Sequence, residues 1–429
     1  MMLENRWLIF AELWEVTKSF SFFRASVAVF LVVIVTACSG SETDIGEADH
    51  IQVLEEIPEH IREIENLTIY QGDSEPRYSI ELVPEQTYGE EGEPYLTTVL
   101  RSAVDDNGKI IILNSNSDYS QSVFVYNDDG TFHTELGRSG RGPGEHGFIF
   151  DVQARGGNVY IRDVTNQRIN IYSSTDYSFE RTMMIEQLSI RDHEAVQELE
   201  LGLILPRNDE NYWVIFSDRR SVIGQLSNRY KIMDHEGRLV QDPSLALPAG
   251  FRIQTDPSAR PIMPLYFMGS TLEAVSRGDE LYTAFTRDFL IRKYDANGIY
   301  QSAFYYPVQS LPFDLDVHTN SSPFSPSARV IKNAFSDIDR DLPETNPVLF
   351  RMRIDDENRV WAAVPMDQQR EILEWWILDE SGELLAKLQR PLLKTIFDIK
   401  NGYLYGKEVD EETGAEYVVK YRMEFREAE

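Results

Sequence analysis

The 429-residue chain carries 41 basic and 71 acidic residues, and its net charge of −30 disfavours nucleic acid and anionic lipid surfaces as partners. A single cysteine excludes an intrachain disulfide, a thiol redox pair and a cysteine-built zinc knuckle. The length exceeds one ordinary hydrophobic core, so two domains or a repeat architecture are expected.

Residues Ala25 to Cys38 read ASVAVFLVVIVTAC, an apolar run of about a dozen residues, short for a bilayer span and suited to a secretory h-region. Arg24 precedes it, and Thr36 and Ala37 lead into Cys38. The arrangement resembles a bacterial lipoprotein signal, with Val35 in place of the more usual Leu. That resemblance implies removal of residues 1–37 and lipidation of Cys38. An uncleaved anchor helix is the alternative, disfavoured by Arg24, which interrupts any longer apolar run. Residues 38–66 are rich in Asp and Glu, from Glu42 to Glu65, and are expected to form an acidic extended tether with at most a short helix near Ile57 to Ile64. An acidic stretch behind a lipidated cysteine is similar to that of lipoproteins exported to the cell surface. The expected location is the bacterial cell envelope, lipid-anchored at the outer membrane, on its periplasmic or surface face.

From residue 67 onward the chain repeats a pattern of turn cluster, apolar run, gap and second apolar run. The paired runs are Ile110–Ile112 with Val123–Tyr126, Val159–Ile161 with Ile169–Tyr172, and Tyr212–Phe216 with Tyr230–Met233. Three more follow: Leu281–Thr283 with Ile291–Tyr294, Val360–Ala362 with Trp375–Leu378, and Tyr403–Tyr405 with Tyr417–Tyr421. These runs are short, rich in Val, Ile, Tyr and Phe, and bounded by Asp, Asn and Gly, which is strand and hairpin chemistry. Sustained helical periodicity is almost absent. The pattern predicts an all-β, six-bladed β-propeller of four-stranded antiparallel blades over residues 67–429, with a β-sandwich as the less economical alternative. The last unit ends one strand short, and the strand-like Tyr78 to Thr87 is expected to complete it from the other terminus.

Strand parity then assigns the loops. With strands counted outward from the axis, the turns joining first to second and third to fourth strands share one face. The second-to-third loops and the crossings between blades share the other. Long segments at Gln241 to Ser270 and Gln301 to Asn346 are expected as crossings on that second face, carrying Pro261, Pro264, Tyr266, Tyr305, Tyr306, Pro312, Phe313 and Phe324 as binding loops or as a plug over the channel.

The crossing Gly137 to Glu145 reads GRSGRGPGE and is no phosphate loop, since neither Gly-Lys-Ser/Thr nor a helix follows. Arg138 and Arg141 are candidates to clamp a carboxylate there, with salt bridges to the acidic surface as the alternative. The run GRSGRGPGEHGF, followed by Val159 to Asp163 and Asn166-Gln167-Arg168-Ile169, resembles NHL-type repeats and related bacterial six-bladed β-propeller lipoproteins over Gly137 to Tyr172. The resemblance implies the fold and a binding or scaffolding role.

Some six-bladed propellers are lactonases or lyases with a metal in the central channel. Inner-strand polar residues here are Arg101, Asp151, Arg351 and Asp398, and Asp151 with Asp398 could hold calcium; channel-lining groups that bind water are the alternative. The seven histidines have no metal-ligand spacing, and no Gly-x-Ser-x-Gly elbow is present. The sequence therefore points to a membrane-anchored module that binds a protein or small-molecule ligand, with a metal-dependent propeller hydrolase or lyase as the alternative.

Overall fold

Aspartate side chains build the turns that punctuate each unit. Asp295 Oδ1 accepts the backbone N–H groups of Asn297 and Ile299, both at 2.9 Å, and Gly298 closes the turn at φ 79°. Asp379 does the same for Ser381 and Glu383, with Gly382 at φ 95°. Each carboxylate satisfies two donors that a sharp reversal would otherwise leave unpaired. This is why Asp-x-x-Gly recurs where one strand must fold back on the next.

The computed structural model describes residues 56–427 apart from 91, 186–198, 219–223, 255–261, 321–326 and 338–339. The signal segment and Cys38 lie outside the described residues. Six sheets follow in chain order, with inner strands Thr98–Val104, Ile149–Arg155, Leu199–Pro206, Thr271–Val275, Arg351–Ile354 and Ile396–Lys400 in blades 1 to 6. Within blades 1, 2, 3 and 5 the strands run outward in sequence order, and blades 4 and 6 each gain an outermost strand from the amino-terminal side. The paired apolar runs read from the sequence are the second and third strands of each blade.

Six apolar clusters join neighbouring blades and close a ring. Ile111 and Leu113 meet Ile161 and Tyr172 between blades 1 and 2, and Ile171 and Met183 meet Val214 and Phe216 between blades 2 and 3. Trp213 and Tyr230 meet Leu281 and Tyr294 between blades 3 and 4, and Tyr282 and Phe304 meet Val360 and Trp376 between blades 4 and 5. Trp361 and Trp375 meet Ile396 and Leu404 between blades 5 and 6. The circuit ends where Tyr405 and Val418 of blade 6 meet Ile110 and Ile112 of blade 1. Period-two alternation sends one face of each sheet to either neighbour, so all six interfaces are buried.

The seam lies in blade 6. Its outer strand is Tyr78–Tyr88, paired antiparallel with Glu416–Glu427 from Tyr78 opposite Glu427 to Tyr88 opposite Val418. The strand from the amino-terminal side thus completes the last blade, as the truncated sixth unit predicts.

Three features differ from the sequence expectation. The described end of the tether is docked: helix Glu59–Arg62 and strand Leu67–Ile69 lie on blade 4, the strand parallel to Ala303–Tyr305. Ile57, Ile61, Ile64 and Leu67 form a stripe against Leu290, Ala303 and Tyr305, which outweighs the acidity of the segment. Next, Gln241 to Ser270 is more than a crossing, because it contains the fourth strand of blade 3, Ala246–Gln254, and a fifth, Ile262–Pro264. Finally, the crossing after blade 4 contains helices Leu315–Asn320 and Ala328–Asp337. Ile331 and Phe335, one helical turn apart, pack with Phe251, Phe267 and Leu315, so the two long insertions share a small core of their own.

Candidate functional site

The two ends of the central channel differ. At the end bearing the first-to-second turns, polar contacts link blade to blade around the axis. Lys400 Nζ meets Asp106 Oδ1 at 2.7 Å, and Asn107 Nδ2 donates to Ser174 O at 3.0 Å. Asn208 N donates to Asp279 Oδ1 at 2.9 Å, Arg277 N to Asn358 Oδ1 at 3.3 Å and Asn401 N to Asp356 Oδ2 at 2.8 Å. Arg155 of blade 2 reaches past blade 3 to the blade 4 turn, where it bonds Val275 O, Ser276 O and Asp279 Oδ1, the last at 2.8 Å. The extended guanidinium bars this end. The opposite end is where the crossings and the two long insertions lie.

Inside, four blades contribute charged groups. Arg101 Nε and Asp151 Oδ1 are 3.9 Å apart across blades 1 and 2, and Asp151 Oδ2 accepts Gln153 Nε2 at 2.7 Å. Asp398 of blade 6 accepts Val104 N at 2.8 Å on one oxygen and Ile399 N at 2.9 Å on the other. Arg353 of blade 5 lies within electrostatic reach of Asp398, Arg101 and Asp151. Arg162, on the second strand of blade 2, donates to Gly202 O at 3.0 Å and faces Asp151. Burial pushes the carboxyls of Asp151 and Asp398 above the usual range, opposed by Arg101 for the first and by the Val104 N–H for the second. Both residues remain partly open to solvent, the condition of groups at the wall of a narrow channel.

The sequence-derived candidates separate accordingly. Arg101, Asp151 and Asp398 converge. Arg351 sits on the same strand as Arg353 but turns to Thr395 Oγ1 at 3.2 Å, its guanidinium over the Phe350 ring. Arg138 is 81% exposed and pairs with Glu145 of its own loop at 2.8 Å, while Arg141 is exposed. Asp163 and Arg168 hold that loop together: Asp163 accepts Gly147 N, and Arg168 donates to Arg141 O and Glu145 O. His146 is buried against Leu136 O, Asn170 and Tyr172, and burial lowers its pKa. Tyr305 and Tyr306, expected in a binding loop, are buried in blade 4 and the blade 4–5 core. Phe313 stacks on His318 within the insertion core, and Pro261 and Phe324 lie outside the described residues.

Calcium is poorly matched to this donor set. Both Asp398 oxygens already accept backbone N–H groups and Asp151 faces guanidinium groups, whereas calcium needs six to eight converging oxygens. Among the described residues no group of three or more His, Cys, Asp or Glu could hold a metal ion.

Besides Arg155 and Arg162, sequence reasoning missed Arg353 and Glu273. Arg353 is two positions from Arg351, and period two gave the signal that both share one strand face. Glu273, on the inner strand of blade 4, accepts Tyr230 OH at 2.8 Å and Asn228 Nδ2 at 3.2 Å from blade 3, and burial pushes its carboxyl from 4.5 up to about 7. A carboxyl raised on folding favours the protonated folded state, so stability is full below about 4.5 and falls as pH rises toward 7. Glu273→Gln keeps both acceptor contacts and removes the penalty. It is expected to leave the urea midpoint near unchanged at pH 5 and to raise stability by roughly 1–3 kcal/mol at pH 8. Equal midpoint shifts at the two pH values would show that Glu273 ionises normally.

Comparison with known proteins agrees on the architecture. The sequence profile of DUF5128, described as a 6-bladed beta-propeller, matches residues 96–240. A duf4221-family protein from Bacteroides vulgatus aligns at a TM-score of 0.50 with 11% identity, covering 82% of this chain and 100% of that one. A Bacteroides fragilis protein inferred to be exported aligns at a TM-score of 0.45 with 12% identity, covering 83% of this chain and 99% of that one. The PQQ-bound aldose sugar dehydrogenase from Streptomyces coelicolor aligns at 0.38 with 14% identity, covering 82% and 100%. No curated protein matches the chain. The chain is a six-bladed β-propeller.

Proposed function

We propose that this chain is a lipid-anchored envelope protein whose propeller binds a ligand or partner at the channel end bearing the long insertions. One observation carries the reading: charged side chains from four blades converge in a channel that Arg155 bars at the turn face. Polar groups gathered at the axis of a rigid scaffold form a recognition surface. The location rests on the Ala25 to Cys38 run and its resemblance to a lipoprotein signal. A lactonase-like hydrolase or lyase would need channel ligands for an ion, and the two channel carboxylates are engaged otherwise.

Photo-crosslinking residues placed by face test the binding side in native membranes. Tyr119 and Tyr266 are 81% and 45% exposed on the insertion face, whereas Phe132 and Val240 are 43% and 53% exposed on the turn face. Adducts from the first pair and none from the second are expected. Adducts confined to the turn face, or none from either, contradict the reading. In the same cells Cys38→Ser should abolish labelling by a palmitate analogue and release the protein from the membrane fraction.

A further inference from the structure

We propose that the crossing between blades 1 and 2 is an acid-sensitive latch, closed while the imidazole of His146 is neutral and released when it takes up a proton. The proposal concerns the conformation of this crossing and does not depend on the reading of the propeller as a binding module.

His146 is 4% exposed and sits where the two ends of the crossing meet. Gly137 and Gly144 hold left-handed backbone there, at φ 69° and 70°. A Cβ added at Gly137 would lie 2.3 Å from the imidazole Nε2 and 2.3 Å from Gly144 O, so the ring packs directly on the backbone. The His146 main chain closes the same corner, donating to Arg138 O at 2.8 Å and accepting Gly140 N at 2.9 Å.

The partners of the ring fix its protonation state. Thr182 Oγ1 donates to Asn170 Oδ1 at 2.7 Å, which leaves the Asn170 amino group facing Glu145 O at 2.9 Å and His146 Nδ1 at 3.1 Å. Nδ1 is therefore the acceptor. Nε2 carries the proton and lies 3.2 Å from Leu136 O, a group that can only accept. Tyr172 gives its own proton to Gly144 O at 2.8 Å and offers Nε2 a lone pair at 3.2 Å. A second proton goes to Nδ1 and sets it against the Asn170 N–H donor. Turning that amide over would set its oxygen against Glu145 O.

The charged groups facing the ring oppose one another. Asp163, ending strand Asn158–Asp163, favours the proton, and Arg168, opening strand Arg168–Ser173, disfavours it; the two are themselves 3.5 Å apart. Within the crossing Arg141 is exposed and Arg138 pairs with Glu145, whose carboxyl is held below its usual range by the Gly142 N–H and Arg138 and so stays ionised in mild acid. The outer strand Phe179–Met184 brings the neutral Thr182 and Phe179. Burial lowers the His146 pKa from 6.5, so the closed crossing binds fewer protons than the open one. Its stability is complete above about 6.5 and falls as pH drops below that value.

Hydrogen exchange of the full chain at pH 7.5 and pH 5.0, corrected for intrinsic rates, reads the latch at the Gly140 and His146 amides. Their protection should fall about ten- to thirty-fold at pH 5.0, the range open to a single proton, while strand Ile110–Ser115 keeps its own. Nitrogen NMR of labelled histidine should show a bare Nδ1 at pH 7.5 and both ring nitrogens protonated as the crossing opens. His146→Gln keeps a donor in reach of Leu136 O and cannot titrate, so its protection should be equal at the two pH values. Asn170→Asp puts an acceptor against Nδ1 and should reverse the trend, with more protection at pH 5.0 than at pH 7.5. The wild-type profile decides the question by itself should neither variant fold. Unchanged protection at pH 5.0, a loss spread evenly over the propeller, or a pH response that persists in His146→Gln or keeps its sign in Asn170→Asp overturns the proposal.

Discussion

Replacing Lys407 with methionine is expected to destabilise the propeller by about 3–5 kcal/mol, read as a fall in urea midpoint at constant m-value. Lys407 Nζ and Glu416 Oε1 are 3.0 Å apart, with side chains only 4% and 5% exposed. The other Glu416 oxygen accepts Val99 N at 2.7 Å, which ties blade 6 to the inner strand of blade 1. Lys407→Met removes the cation and leaves a carboxylate enclosed with one backbone donor as its partner. The second substitution Glu416→Gln, added to the first, removes that uncompensated charge while keeping an acceptor for Val99. It should recover most of the loss. A double variant no better than the single one would show that packing around Lys407, rather than charge, sets the cost.

Deleting the chain up to Glu93 is expected to have a still larger effect, loss of the soluble monomer. The strand Tyr78–Tyr88 pairs along nearly the whole of Glu416–Glu427, and Ile80 and Leu82 pack on the blade 5–6 core. Its removal exposes a strand edge twelve residues long and one face of that core. Light scattering and size-exclusion chromatography of the truncated chain measure the outcome. A peptide of residues 67–93 supplied during refolding should restore a monomeric fraction. A truncated chain that stays monomeric, with unchanged melting, would mean that the ring does not depend on its amino-terminal strand.

Much of the fold was legible because the second and third strands of each blade are buried on both faces. Runs such as Val360-Trp361-Ala362 and Trp375 to Leu378 are almost wholly enclosed, so they read as plain apolar segments. Inner strands were harder, since Arg351–Ile354 and Thr271–Val275 border the channel and carry charged residues among the apolar ones. The stripe Ile57, Ile61, Ile64 was obscured by the acidic residues between its members, which point to solvent while the isoleucines dock on blade 4. Helix Ala328–Asp337 was hidden for a related reason. Only Ile331 and Phe335 are buried in it, too short an apolar repeat to stand out within a long insertion.

The channel was partly visible. Arg101, Asp151 and Asp398 were identified from inner-strand position, because parity fixes which residues approach the axis. Parity gives no sign of how far a side chain reaches, so the different fates of Arg351 and Arg353 became apparent only from their partners. Nor could it indicate that Arg155 crosses from blade 2 to blade 4. In the glycine-rich crossing, one of the two readings is seen for Arg138, a salt bridge. Its arginines allowed a ligand clamp or salt bridges, and Arg138 pairs with Glu145 within the same loop.

The assignment of both channel ends depends on joining the two ends of the chain in one blade. Ser79 and Arg426 are register partners across that seam. With Cys38→Ser as background, the pair Ser79→Cys and Arg426→Cys should oxidise to an intramolecular disulfide that shifts electrophoretic mobility and raises the melting temperature. Ser79→Cys with Arg422→Cys, displaced by four residues or roughly 13 Å along the strand, should remain reduced. Rapid crosslinking of the displaced pair, or none in the register pair, would contradict the closed ring and with it the assignment of the channel ends.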